Sequence, residues 1–262
     1  MPLEEKYLSL LNALIPQATP KALERLSVLF DLVLDTSRKI NITSLKSPME
    51  IVLKHFADSL SLVQSPAFCA RADAGESACD IGCGGGFPGL PVACLYPHLP
   101  LTMIDSTEKK ITCLRENAKA LELSHITPVW GRGEALAQAS GAMRESFAMA
   151  FSRAVARLPV LCELCLPFVK KGGVFFALKG LRAEEELAES RHAIALLGGK
   201  VAEVIDVSFS APCVDLSLFS AEEKSIFDEF FLAKRAIIVL EKVKNTPPMY
   251  PRAWGKMTKK SL

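Results

Sequence analysis

Five glycines fall between residues 82 and 89, in Asp80-Ile81-Gly82-Cys83-Gly84-Gly85-Gly86-Phe87-Pro88-Gly89, directly after a short apolar run and ahead of a helix-forming segment. At a strand-to-helix turn, glycines let the backbone approach a ligand closely, and the amides of the helix N-terminus face it. The pattern predicts a nucleotide-like cofactor. The chain beyond keeps the same rhythm, with short apolar runs predicting strands over 78–81, 101–104, 126–130, 147–151, 174–179, 201–209 and 235–241. Helical spacing predicts helices over 107–121, 158–169 and 183–197. Such alternation implies an α/β fold, a mostly parallel, Rossmann-like sheet with helices on both faces.

Ahead of that domain, apolar residues recur at helical spacing, as in Leu23, Leu26, Phe30 and Val33, then Val52, Phe56, Leu60 and Val63. Four parts are therefore expected: a helical region over 1–64, a connector over 65–77, a cofactor-binding domain over 78–241 and a basic tail over 242–262. The connector carries Pro66, Asp73 and Gly75 without a clear period. With 50% hydrophobic and 23% charged residues, the chain is neither a disordered tail nor a collagen-like repeat. No apolar run reaches the ~18 residues of a membrane span. The start, Met1-Pro2-Leu3-Glu4-Glu5-Lys6, lacks secretory-signal features, so a cytoplasmic location is expected.

Eight cysteines scattered through apolar segments are expected to be reduced and mostly buried. The net charge of +2 hides an asymmetry: residues 242–262 carry six bases (Lys242, Lys244, Arg252, Lys256, Lys259 and Lys260) and no acid. A basic tail on a mildly acidic body suggests a mobile arm for a polyanionic partner, although solubility alone explains a charged terminus.

The glycine turn leaves the cofactor open, because Gly84, Gly86 and Gly89 also satisfy the G-x-G-x-x-G spacing of dinucleotide binders. Two carboxylates favour S-adenosylmethionine. Asp80, at the strand end, would attract an ammonium group and repel a pyrophosphate. Asp105 ends the second strand where a ribose diol would lie, or it caps the following helix. Gly131-Arg132-Gly133-Glu134-Ala135-Leu136 follows the third strand and offers backbone amides to an adenine edge, with Glu134 equally readable as a solvated helix-start charge. After the fourth strand, Phe151-Ser152-Arg153-Ala154 lacks the acidic or amide residue and paired prolines of adenine amino-methylating enzymes. Cys162 and Cys165 form an i, i+3 pair in an apolar helix and read as packing, not as a nucleophile or a zinc site. No metal site is expected.

Several motifs together resemble one family: Asn41-Ile42-Thr43, His55-Phe56-Ala57-Asp58-Ser59-Leu60, the Gly-Phe-Pro-Gly-Leu-Pro turn at 86–91, Asp105-Ser106 with Lys109, Ser152-Arg153-Ala154, Ala177-Leu178-Lys179-Gly180, Lys244-Asn245-Thr246-Pro247-Pro248 and Tyr250-Pro251-Arg252. The chain resembles the RsmG family, also called glucose-inhibited division protein B, bacterial methyltransferases that modify guanine N7 in small-subunit ribosomal RNA with S-adenosylmethionine. The resemblance implies a class I methyltransferase fold. It implies cofactor contacts at Asp80, Gly82, Gly84, Gly86, Phe87, Asp105, Arg132, Gly133, Glu134, Ala135 and Arg153, with Arg153 and Lys179 facing the reaction site. Cys83 stands where another small residue is usual and raises the question of an oxidisable thiol beside the cofactor, with a buried, unreactive cysteine as the alternative. Arg157 stands in a variable place, and the connector is somewhat long.

Guanine N7 has an in-plane lone pair and no proton, so its attack on a sulfonium methyl needs placement and no general base. Arg153 and Lys179 would oppose a cationic product if set against the ring, so they are expected to donate to guanine O6 or to hold phosphates. His55, Asp58 and Ser59, at i, i+3 and i+4, are expected to share one polar helix face towards the cofactor mouth and RNA, with an ordinary surface cluster as the alternative. In the tail, Lys244, Arg252, Lys256, Lys259 and Lys260 would contact phosphates, with Tyr250 or Trp254 free to stack on a base. The implied partner is 16S ribosomal RNA, naked, in a precursor or in the small subunit, bound by a monomer without membrane contact. A small-molecule methyltransferase, a non-catalytic RNA-binding module and, by glycine spacing alone, a nicotinamide-dependent oxidoreductase are the competing classes.

Overall fold

The computed structural model describes residues 3–40, 45, 47–211 and 213–262. The Asn41-Ile42-Thr43 motif lies outside them. Seven strands form one sheet in the order β3-β2-β1-β4-β5-β7-β6: β1 Ala78–Ile81, β2 Leu101–Asp105, β3 Ile126–Trp130, β4 Phe147–Arg153, β5 Val169–Lys179, β6 Gly199–Asp206 and β7 Ala236–Lys242. The first five are parallel, and β7 lies antiparallel between β5 and β6. From β3 the chain crosses back to lay β4 on the free side of β1. That reversal of strand order opens a crevice at the carboxyl ends of β1 and β4, where doubly wound sheets bind ligands.

One face of the sheet is covered by α1 Glu5–Leu14, α2 Pro20–Lys39, α3 Pro48–Glu50, α4 Asp58–Leu60, α5 Pro66–Asp73, α6 Gly89–Leu95 and α7 Glu108–Ala120. The other carries α8 Gly133–Leu136, α9 Leu158–Cys165 and α10 Ala183–Leu196. Helix α11 Ala221–Leu232 joins the first face through Phe230, and α12 Trp254–Lys259 joins the second through Met257. Helices on both faces of the central strands bury β1 throughout, which explains why it is apolar without alternation apart from Asp80. In β5 the pleat sorts Phe176 and Leu178 to the first core and Phe175 and Ala177 to the second. The helices ahead of β1 share the first core with the sheet, so they pack as a layer of the same body.

Several expectations are corrected. The connector holds α5, begun by Pro66 and capped by Ser65, whose Oγ accepts the Phe68 N–H. An alanine-rich helix anchored mainly by Phe68, which meets Tyr96, Phe151 and Phe176 edge-on, shows little periodicity in sequence. Residues 221–232, left without an element, form α11 behind a reciprocal Ser220–Glu223 capping box. The helix expected over 158–169 stops at Cys165, and β5 starts at Val169, five residues ahead of the expected 174.

The tail is no mobile arm. Lys242 is fully buried, its ammonium donating to Leu166 O at 2.6 Å and Thr246 Oγ1 at 2.7 Å, with Glu145 at 3.3 Å. Burial brings its pKa down to about 8. Arg144 donates to the carbonyls of Thr246, Pro247 and Tyr250, and Met257 is fully buried. A count of basic residues misses these anchors because Leu166 lies 76 residues from Lys242 in sequence and Arg144 more than 100 from the carbonyls it binds.

Candidate active site

At the carboxyl ends of the central strands lies a cavity of about 450 Å³, walled by the glycine turn, Asp105, the 131–134 segment and Arg153. Gly82 has φ +74°, and a Cβ there would stand 2.5 Å from Val155 Cγ2, so only glycine fits. Gly89 admits α6 so closely that a Cβ would lie 2.7 Å from Asp80 Oδ2. Of the expected cofactor residues, Gly82, Gly84, Phe87, Asp105, Arg132, Gly133, Glu134 and Arg153 line the cavity. Asp80, Gly86 and Ala135 do not. Ala135 is exposed, and its N–H is used within α8 on Arg132 O. Gly86, at φ +102°, serves the turn itself.

Asp80 lies behind the turn, fully buried, and its Oδ2 accepts the Gly89 N–H at 2.9 Å. Its Oδ1 has no hydrogen-bond partner among the described residues. Burial pushes its pKa up to about 7, against the pull of the Gly89 bond and of Arg153. The carboxyl therefore shapes the turn and is no direct wall. Asp105 holds the turn into the following helix and lines the cavity. Oδ1 accepts the Thr107 N–H at 2.8 Å ahead of α7, and Oδ2 accepts the Gly84 N–H at 2.9 Å, while the side chain lines the cavity. The remaining lone pairs can accept from a diol. Arg132 is 66% exposed and pairs with Glu134 at 3.2 Å. Cys83 lines the cavity, but burial raises its thiol well above the usual range, and the same holds for Cys162 and Cys165. These thiols stay protonated, which disfavours thiolate chemistry at all three.

Arg153 ends β4 and is held from three sides. Nη1 donates to Lys54 O at 2.8 Å and Asp58 Oδ2 at 2.5 Å, and Nη2 lies 3.2 Å from His55 Nδ1. A guanidinium only donates, so Nδ1 is the unprotonated nitrogen of His55. Burial and the charge of Arg153 hold the His55 pKa down to about 3, leaving a neutral ring. That ring stacks on Phe87 at 4.2 Å and 7°.

Asp58 also accepts from Arg235 Nε at 2.8 Å on its other oxygen. Arg235 was missed in the sequence; its guanidinium sits 3.9 Å over Phe230 and donates to the carbonyls of Phe230 and Ala233. The only local signal was a Lys-Arg pair at the head of β7.

Ser59 is corrected: it is fully buried and reaches neither cavity. Residues Ile51–Ala57 form a π-helix, so the 3.6-residue spacing that put His55, Asp58 and Ser59 on one face does not hold through this segment. His55 lines the first cavity. Asp58 lines a second, of about 590 Å³, that meets the first at Arg153 and Ala154.

Lys179 belongs to this second cavity and not to the first. Its ammonium is 2.6 Å from Glu186 and donates to Ala156 O at 3.0 Å. Six bases, Lys54, Arg153, Lys179, Arg182, Lys234 and Arg235, line the second cavity against two acids, Asp58 and Glu186. In the tail, Lys244, Lys256, Lys259 and Lys260 are exposed as expected. Arg252 is not available to phosphate, because its guanidinium is bound to the fully buried Glu163 at 2.6–3.1 Å. Trp254 lines the first cavity.

A mostly parallel sheet with an antiparallel β7 inserted beside β5, a glycine turn at its switch point and an acid ending β2 defines a Rossmann-like protein of the class I methyltransferase type. Solved structures agree on the fold. The [4+2]-cyclase SpnF matches with a TM-score of 0.52 at 17% identity, covering 87% of this chain and 98% of that one. A putative sarcosine dimethylglycine methyltransferase from Galdieria sulphuraria matches at 0.50 and 13% identity, covering 80% of this chain and 99% of that one. A cyclase and a methyltransferase on one scaffold leave the chemistry to the site and the sequence.

The sequence relatives are specific. Proteins named ribosomal RNA small subunit methyltransferase G from Bacillus subtilis, Lachnoclostridium phytofermentans and Bacillus pumilus are 38%, 39% and 38% identical, covering 93%, 92% and 99% of this chain and 92%, 89% and 95% of their own. The family model described as rRNA small subunit methyltransferase G matches residues 22–212. The chain belongs to this family and is a methyltransferase. No helix among the described residues is long and apolar enough to cross a membrane.

Proposed function

We propose that the protein methylates N7 of a guanine in 16S ribosomal RNA with S-adenosylmethionine, and that transfer occurs where the two cavities meet at Arg153. The observation that carries this is the shared wall: Arg153 and Ala154 border both the glycine-turn cavity and the basic one. The first suits the cofactor. Its cradle is glycine where a Cβ would collide, and Asp105 presents a carboxylate to a diol. When bound, S-adenosylmethionine supplies a sulfonium methyl to a nucleophile.

The residues at the junction suit a nucleophile that carries no proton. Asp58 has both oxygens on guanidiniums, and His55 Nδ1 faces Arg153, so neither is poised as a base. Guanine N7 needs none. Asp58 pairs with Arg153 and Glu186 with Lys179, which lessens the repulsion of a cationic product when Arg153 donates to guanine O6. Lys54, Arg182 and Lys234 around the second cavity, with the exposed Lys244, Lys256, Lys259 and Lys260, supply salt-dependent affinity for phosphates. We place the protein in the cytoplasm, acting as a monomer on RNA or on an assembling small subunit.

Incubation with methyl-labelled S-adenosylmethionine and small-subunit RNA, offered naked and as subunits, tests this by nucleoside analysis. Label in 7-methylguanosine is the expected result. Label in another nucleoside, or only in a small molecule, overturns the substrate assignment.

A further inference from the structure

The C-terminal segment forms part of the first cavity. Trp254 opens α12 and lines that cavity together with Gly133 and Leu164. The latter two are in close approach, since a Cβ at 133 would lie 3.0 Å from Leu164 Cδ1. Two residues before the indole, Arg252 is bound through its backbone N–H and its guanidinium to Glu163, the neighbour of Leu164 on α9. Three residues after it, Met257 is fully buried. Upstream, Arg144 gathers three carbonyls of the segment. The indole is therefore held in place by anchors on both sides.

The two sides of the cavity differ in chemistry. Arg153 and His55, which contact each other, bring a charge and a polar ring, whereas Leu164 lies against Gly133 and shares the cavity wall with Trp254. A cavity that offers a flat π surface and the peptide groups of residues 131–134 suits a heteroaromatic ring, with amides and carbonyls left to read its edge. We propose that Trp254 is a cofactor-binding residue whose indole packs on the adenine ring, so that the docked C-terminal segment completes the cofactor site. The inference rests on the S-adenosylmethionine reading above and changes the expected role of Trp254, which the sequence offered to an RNA base.

The chain has two tryptophans, so Trp130→Phe leaves Trp254 as the only indole reporter. Its emission is followed on titration with S-adenosylhomocysteine, with 5′-methylthioadenosine, which keeps the ring and lacks the amino-acid arm, and with a short single-stranded RNA. Calorimetry measures S-adenosylhomocysteine affinity for wild type, Trp254→Ala and Trp254→Phe. The expected result is an emission change with both adenosine compounds and none with RNA alone. Alanine should weaken S-adenosylhomocysteine about tenfold, as loss of a base-stacking ring does, and phenylalanine should stay within about threefold.

Wild-type affinity in the alanine variant, or emission that responds to RNA and not to the adenosine compounds, overturns the inference and leaves the function standing. Failure of wild type to bind S-adenosylhomocysteine overturns both. The phenylalanine variant and the emission titration keep the test decisive if the alanine variant does not fold.

Discussion

Arg252→Met separates a tail that is built into the body from one that is an arm for RNA. Glu163 is 0% exposed and accepts four hydrogen bonds, one from the Arg252 backbone N–H and three from its guanidinium. Methionine keeps the stem and the backbone bond but strands a buried carboxylate, a loss that costs ~3–5 kcal/mol when one partner of a buried pair is removed. Arg252 is 25% exposed, which places the expected cost near the lower end, about 3 kcal/mol. For a chain of this size each kcal/mol moves Tm by about 2 °C, so a drop of about 6 °C is expected. Differential scanning calorimetry and urea unfolding at one salt concentration measure it. The pair Glu163→Met with Arg252→Met removes both charges and should recover most of the loss, because well-packed apolar substitutes for a buried pair are close to neutral. An unchanged Tm in Arg252→Met, accompanied by weaker RNA binding, refutes the argument and returns Arg252 to the phosphate contacts.

Asp80→Asn tests the buried carboxyl. The native pKa of about 7 lies above the ~3.9 of an unfolded aspartate, so the native state holds the extra proton between these values. Stability from this group is full below about pH 4 and is lost as pH rises towards 7, on the order of 1 kcal/mol per pH unit. Unfolding measured from pH 4 to 8 should show the asparagine variant gaining on wild type across that window; parallel profiles would remove the assignment. Asp105→Ala should weaken S-adenosylhomocysteine by about tenfold or more in calorimetry, through the lost ribose acceptor and the loosened Gly84 amide. Equal dissociation constants would count against its role. Replacing Lys256, Lys259 and Lys260 with glutamine should lower the slope of log affinity for RNA against log salt by about 2–3, at unchanged cofactor affinity. An unaltered slope would take these side chains out of the interface.

The features legible in the sequence were local ones. The strands at 78–81 and 126–130 are short apolar runs beside turns, and both stand in the structure with those bounds. The glycine turn was legible because positive φ and close approach are properties of single residues, as Gly82 shows. What escaped was set by partners distant in sequence or by an unusual helix. The π-helix over Ile51–Ala57 carries no strong signal, and it is what spoils the face argument for Ser59. Glu163 lies 89 residues from Arg252, so a run of bases looked free when one was committed. Arg235 is brought to Asp58 by β7, 177 residues along the chain, and no spacing rule links the two. Lys179 lies in the second cavity and not in the first, held by a carboxylate from α10 that no local pattern links to it. The Ser220–Glu223 capping box marks the start of α11, but a helix that buries only Phe230 carries no apolar stripe to go with it.

Single-turnover methyl transfer to small-subunit RNA by wild type and Arg153→Met, side by side, tests most directly the claim that chemistry takes place where the two cavities meet. Asp58 keeps its bond to Arg235 in the variant, so the fold retains a paired carboxylate. The predicted result is 7-methylguanosine from wild type and a rate lower by about 100-fold from the variant, the usual cost of losing one oriented donor at a reacting centre, with RNA affinity within about threefold. Equal rates would contradict the claim and move the reaction away from Arg153.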